Sequence, residues 1–310
     1  MPLVSIITPS YNQAAYLEQT IQSVLAQEYT PLEYLVVDGG STDGSLEIIQ
    51  KYAPRLAWWA SERDAGQADA INKGLRRANG EIIAWLNSDD LYLPGAVSQA
   101  VAAFQAEPGV GLVFGDAVTI DTAGLQLNRL SFGNWGLDEL VCFRIICQPA
   151  VFMRRQVLEQ AGHLDPSYHY MLDHQLWLRI AQIAPIRHIP QVWAAARHHP
   201  GAKNVAQPAG FGQETLRVLA WMEAEPGLAA YLSANRRRVE AGAYRLNARY
   251  LLDGGQPGPA LRAYGRALLR SPRFALRHWH RMLYAVLSLV GGKGLGDVYY
   301  RLRRKRSIGS

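Results

Sequence analysis

Two carboxylates stand side by side in this chain. Asp89 and Asp90 close the segment Asn87-Ser88-Asp89-Asp90, directly after the apolar run Ile82-Ile83-Ala84-Trp85-Leu86. Adjacent carboxylates repel unless a cation or hydrogen-bond donors compensate. Hard divalent cations such as Mg or Mn take carboxylate oxygens and often share a phosphate oxygen of the substrate. Two further polar clusters follow apolar runs in the same way. Thr8-Pro9-Ser10-Tyr11-Asn12 follows Val4-Ser5-Ile6-Ile7, and Asp38-Gly39-Gly40-Ser41-Thr42-Asp43 follows Leu35-Val36-Val37. Asp38 before two glycines also suits a plain turn.

The elements that must position these clusters alternate. Apolar strands are expected at 4–8, 35–38, 57–59, 82–86 and 110–114. Helical spacing of apolar residues covers 16–27, 43–52, 68–78 and 95–106. Strands alternating with amphipathic helices predict βαβ units around a mainly parallel sheet. Ligands of such sheets lie beyond the carboxyl ends of the strands, where the three polar clusters fall. No P-loop lysine motif occurs, and no Gly-x-Gly-x-x-Gly opens a helix after a strand. ATPase and dinucleotide-oxidoreductase chemistry are therefore disfavoured.

Composition splits the chain in two. Of its 310 residues, 1–233 carry 15 Lys and Arg against 23 Asp and Glu, whereas 234–310 carry 17 against 3. An acidic body with a basic tail implies two pieces with different tasks. Two domains are expected, 1–214 and an all-helical, basic extension over 215–310. Within the extension, 244–252 and 259–269 read as a helical hairpin whose small and aromatic spacing resembles one tetratricopeptide unit. The helix expected over 279–290 is apolar but too short to span a bilayer. The basic run Arg301-Leu302-Arg303-Arg304-Lys305-Arg306 follows it. Together they suit a peripheral contact with an anionic membrane surface, and no nucleic-acid-reading module is evident. Cys142 and Cys147 fit no zinc pattern and cannot staple a chain of this size, so a reducing compartment is expected. Nothing near Met1 reads as a signal peptide. The expected location is the cytoplasm, with peripheral contact to the inner face of the plasma membrane.

The motifs in order resemble a family 2 glycosyltransferase of the bacterial cell-surface polysaccharide type. They are Thr8-Pro9-Ser10-Tyr11-Asn12; Val37-Asp38-Gly39-Gly40-Ser41-Thr42-Asp43-Gly44-Ser45; Asp64-Ala65-Gly66-Gln67-Ala68-Asp69-Ala70-Ile71-Asn72-Lys73-Gly74; Ala78-Asn79-Gly80-Glu81; and Leu86-Asn87-Ser88-Asp89-Asp90. The resemblance spans roughly 3–205 and implies the GT-A fold, an α/β sandwich that binds nucleotide sugars. It implies that Thr8, Pro9 and Tyr11 line the nucleotide pocket and that Asp38 reads the base. Asp64 and Lys73 would also lie on the nucleotide side. Asp89 would face the ribose, and Asp90 would hold a Mn or Mg ion bridging the donor diphosphate. Relatives often carry an acid at the position of Asn87.

Downstream, Met171-Leu172-Asp173-His174-Gln175-Leu176-Trp177 matches the segment of the catalytic base. Leu172 stands where members commonly have Glu, and Asp173 keeps the Asp. A carboxylate there can accept the proton of an attacking hydroxyl; it can equally cap the helix over 175–183. Arg197-His198-His199-Pro200-Gly201 resembles the segment that closes over the diphosphate, with Arg197 as its contact and His199 as a metal ligand. Imidazole suits Mn better than Mg. The acceptor region would include Trp135, Phe143, Gln148, Pro149, Phe152, Tyr168 and His169.

The expected activity is metal-dependent, inverting transfer of a sugar from a nucleoside diphosphate sugar, a UDP-sugar first, to a glycan or lipid-linked acceptor. One alternative is a catalytically silent nucleotide-sugar-binding scaffold docked at the membrane. The other is a nucleotidyltransferase, which would need a Gly-rich basic loop after the first strand; residues 11–15 supply none.

Overall fold

The computed structural model describes residues 1–289. Val290 and the basic run at 301–306 lie outside the described residues. The chain divides into two compact units, one of residues 1–137 and 146–198, the other of 138–145 and the residues from His199 onward.

The first unit is an α/β sandwich. Its strands are β1 (Val4–Ser10), β2 (Leu32–Asp38), β3 (Trp58–Ser61), β4 (Ile82–Trp85), β5 (Leu91–Tyr92), β6 (Leu112–Ile120), β7 (Gln126–Leu130), β8 (Val151–Arg154) and β9 (Ile186–Arg197). They form one sheet in the order β3-β2-β1-β4-β8-β6-β9-β5, with β7 on β6. The first four run parallel. Every residue of β1 is buried, as a central strand covered on both faces must be. Helices α1 (Ala14–Leu25), α2 (Ser45–Tyr52), α3 (Gln67–Arg77) and α4 (Ala96–Ala106) follow β1, β2, β3 and β5. Gly74 lets α3 lie close on the sheet: a Cβ there would stand 2.5 Å from Ile7 Cγ2. Parallel register aligns the carboxyl ends, setting Ser10 beside Asp38 and Asp38 beside Ser61.

The sheet is parallel in that half and mixed beyond it. β8 runs antiparallel to β4 and β6, β5 antiparallel to β9, and β9 parallel to β6. The sequence pattern shows no strand after 114 because these segments are short or irregular. β8 has four residues, and the pairing of β6 with β9 shifts register at Gly115 and Asp116. The short helix α5 (Leu137–Leu140) precedes β8, and α6 (Arg155–Ala161) and α7 (Leu172–Ile183) precede β9.

The second unit is helical: α8 (Lys203–Ala206), α9 (Pro208–Ala224), α10 (Pro226–Asp253), α11 (Pro257–Arg270), α12 (Pro272–Ala275) and α13 (Trp279–Leu289). This unit takes in α8 and α9, which pack with the helices that follow, and so begins at His199, before the domain boundary expected at 214. The expected hairpin is α10 with α11, whose Ala248, Ala263 and Tyr264 form a small core. Gly242 admits the 138–145 segment, since a Cβ there would meet the Cys142 carbonyl oxygen at 2.2 Å. α13 buries Ala285 and exposes Trp279, Leu283, Val286 and Leu289. Among the described residues no helix is long and apolar enough to cross a membrane.

Candidate active site

The carboxyl ends of β1, β2 and β4 carry the site. Tyr11, just past β1, is 63% exposed and presents its ring to solvent. Thr8 and Pro9, expected at the nucleotide pocket, are buried within β1, and Thr8 Oγ1 accepts a hydrogen bond from Tyr34 Oη at 3.0 Å. Asp38 is fully buried, and its carboxylate accepts from the backbone N–H groups of Gly40 and Ser41 and from the hydroxyls of Ser41 and Ser61. These four donors hold the carboxylate, expected to read the base, against the loop that follows β2. Asn12, held at φ 51°, fastens the loop from the β1 side by accepting from the Thr42 N–H.

Asp64 lies against this loop. A Cβ at Gly39 would stand 2.7 Å from Asp64 Oδ2, so only glycine admits the carboxylate there. Asp64 Oδ1 also accepts from the Gly66 N–H at 2.8 Å. Lys73 lies beyond it, 2.9 Å from Glu62 and 3.7 Å from Asp69. The hydrogen bond to Glu62 raises its pKa, which keeps the ammonium charged.

The acid pair is bound into a polar network. Gln67 Nε2 donates to Asn87 Oδ1 at 2.7 Å. Asn87 Nδ2 donates to Gln148 Oε1 at 3.1 Å and to Asp90 Oδ2 at 3.3 Å. The second oxygen of Asp90 accepts from the Arg197 N–H at 2.9 Å. Asp90 is 6% exposed, and burial first, then the charge of Asp89, pushes its carboxyl well above the usual range. Both its oxygens are engaged within the protein. Of the two acids Asp90 is buried and Asp89 half-buried.

Hard carboxylate oxygens of this kind suit Mg or Mn, and a cation would offset the repulsion that raises Asp90. Among the described residues no group of three or more His, Cys, Asp or Glu side chains is arranged to hold a metal. Further coordination would have to come from substrate and water. His199 is buried and belongs to the helical unit.

Arg197, the expected diphosphate contact, makes several bonds within the protein. Its guanidinium donates to the carbonyls of Asp89 (2.9 Å), Asp121 (3.0 Å) and Thr122 (3.3 Å) and to Gln19 Oε1 (2.8 Å). It also lies 4.8 Å from the centre of the Tyr16 ring. At 5% exposure it clamps the acid-pair loop to α1 and to the end of β6.

Asp173 sits in the first turn of α7, where its charge also favours the helix dipole. Its Oδ1 accepts from the His174 N–H at 2.7 Å. Trp177, one turn further on, stacks on Trp85 of β4. Burial, then Asp90 and Asp173, raise the thiol pKa of Cys147. The two carboxylates therefore share one neighbourhood. Of the expected acceptor residues, Phe143, Phe152 and Tyr168 belong to cores and Pro149 is buried. Trp135 is half-buried with its edge on Phe132, His169 is exposed beside Tyr170, and Gln148 belongs to the acid network.

Sequence reasoning gave no role to Gln67 or Cys147 and did not single out the buried pair Asp116 and His188, 2.8 Å apart. Gln67 follows Asp64-Ala65-Gly66 at the start of α3, and that position was its available signal. The other three carry no local pattern, because nonlocal strand pairing assembles them.

The family's sequence model matches residues 5–160 under the description glycosyl transferase family 2. An uncharacterized glycosyltransferase of Nostoc sp. is 35% identical over 233 residues, covering 71% of this chain and 72% of that protein. The chain belongs to glycosyl transferase family 2 and is a glycosyltransferase. It spans 28% to 36% of the length of several other curated relatives. Solved structures share the GT-A fold. A mannosyltransferase from Pyrobaculum calidifontis, in complex with GDP-Man and Mn2+, superposes with a TM-score of 0.62 at 24% identity, over 94% of this chain and 87% of that one. S. aureus TarS 1–349, in complex with UDP-GlcNAc, gives 0.58 at 17% identity, over 96% and 91%.

Proposed function

We propose that the protein transfers a sugar from a nucleoside diphosphate sugar to a hydroxyl of a glycan or lipid-linked acceptor in cell-surface polysaccharide assembly, with inversion at the anomeric carbon. One observation carries this reading. The polar residues gather along the carboxyl edge of the sheet: Asp64 lies against Gly39 of the Asp38 loop, Gln67 bonds Asn87 and Asn87 bonds Asp90, and the charges of Asp90 and Asp173 both act on Cys147.

The roles follow from exposure and bonding. Tyr11 offers an open ring face for the base, and Asp64 with Lys73 borders the nucleotide side. Asp38 and Arg197 are positioning residues. Asp89 would hold the divalent cation, Mn or Mg, with Asp90 fixing the loop behind it. When bound, the cation offsets charge on the departing diphosphate. Asp173 accepts the proton of the acceptor hydroxyl as that oxygen attacks. One base and one displacement give inversion without a covalent glycosyl-enzyme, unlike the paired-carboxylate retaining hydrolases. A lipid-linked acceptor agrees with the exposed apolar side chains of α13, which suit a peripheral position at the inner face of the plasma membrane.

The TarS and mannosyltransferase complexes make UDP-GlcNAc and GDP-mannose the first donors to test. Each is added with and without Mn while the melting temperature is followed, because a ligand that binds only the folded state raises it. Asp173→Asn is expected to lower transfer about 10²–10⁴-fold while leaving donor binding near wild type. Asp89→Ala is expected to abolish the Mn-dependent part of donor binding. An Asp173→Asn variant with full transfer activity removes the base assignment.

A further inference from the structure

The helical unit holds more cationic side chains than its acids can neutralise. Over residues 226–289 the sequence has eleven arginines and two acids, Glu240 and Asp253. Each acid is already shared. Glu240 binds Arg236 at 2.8 Å and Arg270 at 2.7 Å. Asp253 binds Arg281 at 2.6 Å and meets Arg249 at 3.6 Å. On the 138–145 segment, Glu139 faces Arg238 at 3.6 Å.

Arg245 is left over. It is 8% exposed, and its buried Nε has no hydrogen-bond partner. Its guanidinium lies 4.5 Å from the centre of the Phe274 ring, and that of Arg277 lies 5.2 Å from the same ring. The two cations are therefore within about 10 Å of each other, both against the Phe274 ring. Burial, followed by the charges of Arg144 and Arg277, brings the Arg245 pKa down to about 10. The Nδ1 of neighbouring His278 is likewise buried without a partner. Arg277 is exposed, so the cluster opens to solvent.

A buried guanidinium without an anion is costly, and the usual compensation is a paired, hydrogen-bonded counter-charge. The guanidinium fork matches phosphate oxygens two at a time. We propose that Arg245 and Arg277, with Arg144 beside them, form a binding site for a phosphate group. That group comes either from a lipid headgroup or from a soluble phosphate or diphosphate. The exposed apolar stripe of Trp279, Leu283 and Val286, which begins two residues after Arg277, suits the lipid source.

The test uses the full chain and reads binding, so it does not depend on sugar transfer. Inorganic phosphate and pyrophosphate are titrated calorimetrically. Flotation is measured with phosphatidylcholine vesicles that contain or lack phosphatidylglycerol. The exposed variant Arg277→Gln is expected to bind whichever phosphate probe is recognised at least about tenfold more weakly, as loss of a charge-assisted pair requires. Arg262→Gln, at an exposed arginine outside the cluster, keeps wild-type binding. Arg245→Met is expected to melt higher than wild type in phosphate-free buffer and to gain nothing from added phosphate, since an uncompensated buried charge has been removed. Vesicle binding that needs both phosphatidylglycerol and Arg277 assigns the site to a lipid headgroup. Arg277-dependent binding of the inorganic ions without vesicle preference assigns it to a soluble phosphate. Wild type that binds neither, or an Arg277→Gln variant that binds as wild type, overturns the proposal.

Discussion

Trp85 and Trp177 stack with ring centroids 5.1 Å apart and planes 23° from parallel, and each is 1% exposed. Trp85 ends β4, two residues before Asn87; Trp177 lies one turn after Asp173 on α7. The loop with the acid pair and the helix with the proposed base thus share one joint. Pre-organisation of a site depends on supports of this kind, because a misplacement of about 1 Å can cost 10²-fold in rate.

Trp177→Ala is expected to destabilise the protein by about 3–5 kcal/mol, the usual cost of emptying a large buried aromatic site. Transfer should fall further than donor affinity, because α7 loses its seat while the nucleotide-side loops do not. Trp177→Phe keeps most of the ring contact and should recover most of both. Urea unfolding, paired with separate kcat and donor-binding measurements, checks the split.

Arg197 separates two roles that its sequence context confuses. A diphosphate contact, once removed, lowers donor affinity and leaves unfolding unchanged. A clamp that holds three carbonyls and Gln19 lowers both together. Arg197→Lys is expected to destabilise by about 2–4 kcal/mol, since one ammonium cannot replace a five-donor fork and the carbonyls lose their partners. Calorimetric melting and donor titration on the same variant give the answer.

How much of this was legible in the chain depends on the range of the interaction. Val4–Ser10 announces a strand because its apolar run is local, and the polar residues after β1, β2 and β4 announce a ligand edge for the same reason. The antiparallel partners of β4 and β6 have no such signature. β8 is four residues long and β5 two, and pairing across the sheet defines both. Within the site, residue type shows what a side chain can bind but not what it has already bound. Arg197 and Asp38 read as ligand contacts from their motifs, and only the fold shows the partners each binds within the protein, up to 108 residues away in the bonds of Arg197 to the acid-pair loop. Arg245 is invisible to pattern reasoning for the opposite reason: only the fold shows that, among the described residues, no acid pairs with it.

Asn87 carries an amide beside the acid pair, and its bonds show what that amide does. Nδ2 donates to Asp90 and Gln148, while Oδ1 accepts from Gln67. Asn87→Asp turns the donor into a carboxylate facing Asp90, whose carboxyl burial and Asp89 already raise. In chelator the variant should be less stable by about 1–3 kcal/mol, through two lost donors and added repulsion. Added Mn should raise its melting temperature more than it raises that of wild type, because three carboxylates then share one cation. Melting curves in chelator and in Mn measure both differences; equal Mn responses would refute the argument.

His278 gives the helical unit a defined acid sensitivity. Burial, then the positive charges of Arg245, Arg281, Arg249 and His280, push its pKa down to about 2. In the unfolded chain the imidazole titrates near its ordinary value of about 6.5. Below that pH the unfolded state binds a proton that the folded state refuses, so stability is lost as pH falls. The window runs from about 6.5 down toward 2, and one such group contributes up to about 1.4 kcal/mol per pH unit. Above pH 6.5 the group is neutral in both states and adds no pH dependence. His278→Gln removes the titration. The difference in unfolding free energy between wild type and variant should therefore be flat from pH 8 to about 6.5 and then shrink or reverse as pH drops toward 5. Urea unfolding of both proteins at half-unit pH steps measures that curve, and a difference that stays constant through pH 5 would mean the imidazole can take up its proton in the folded state.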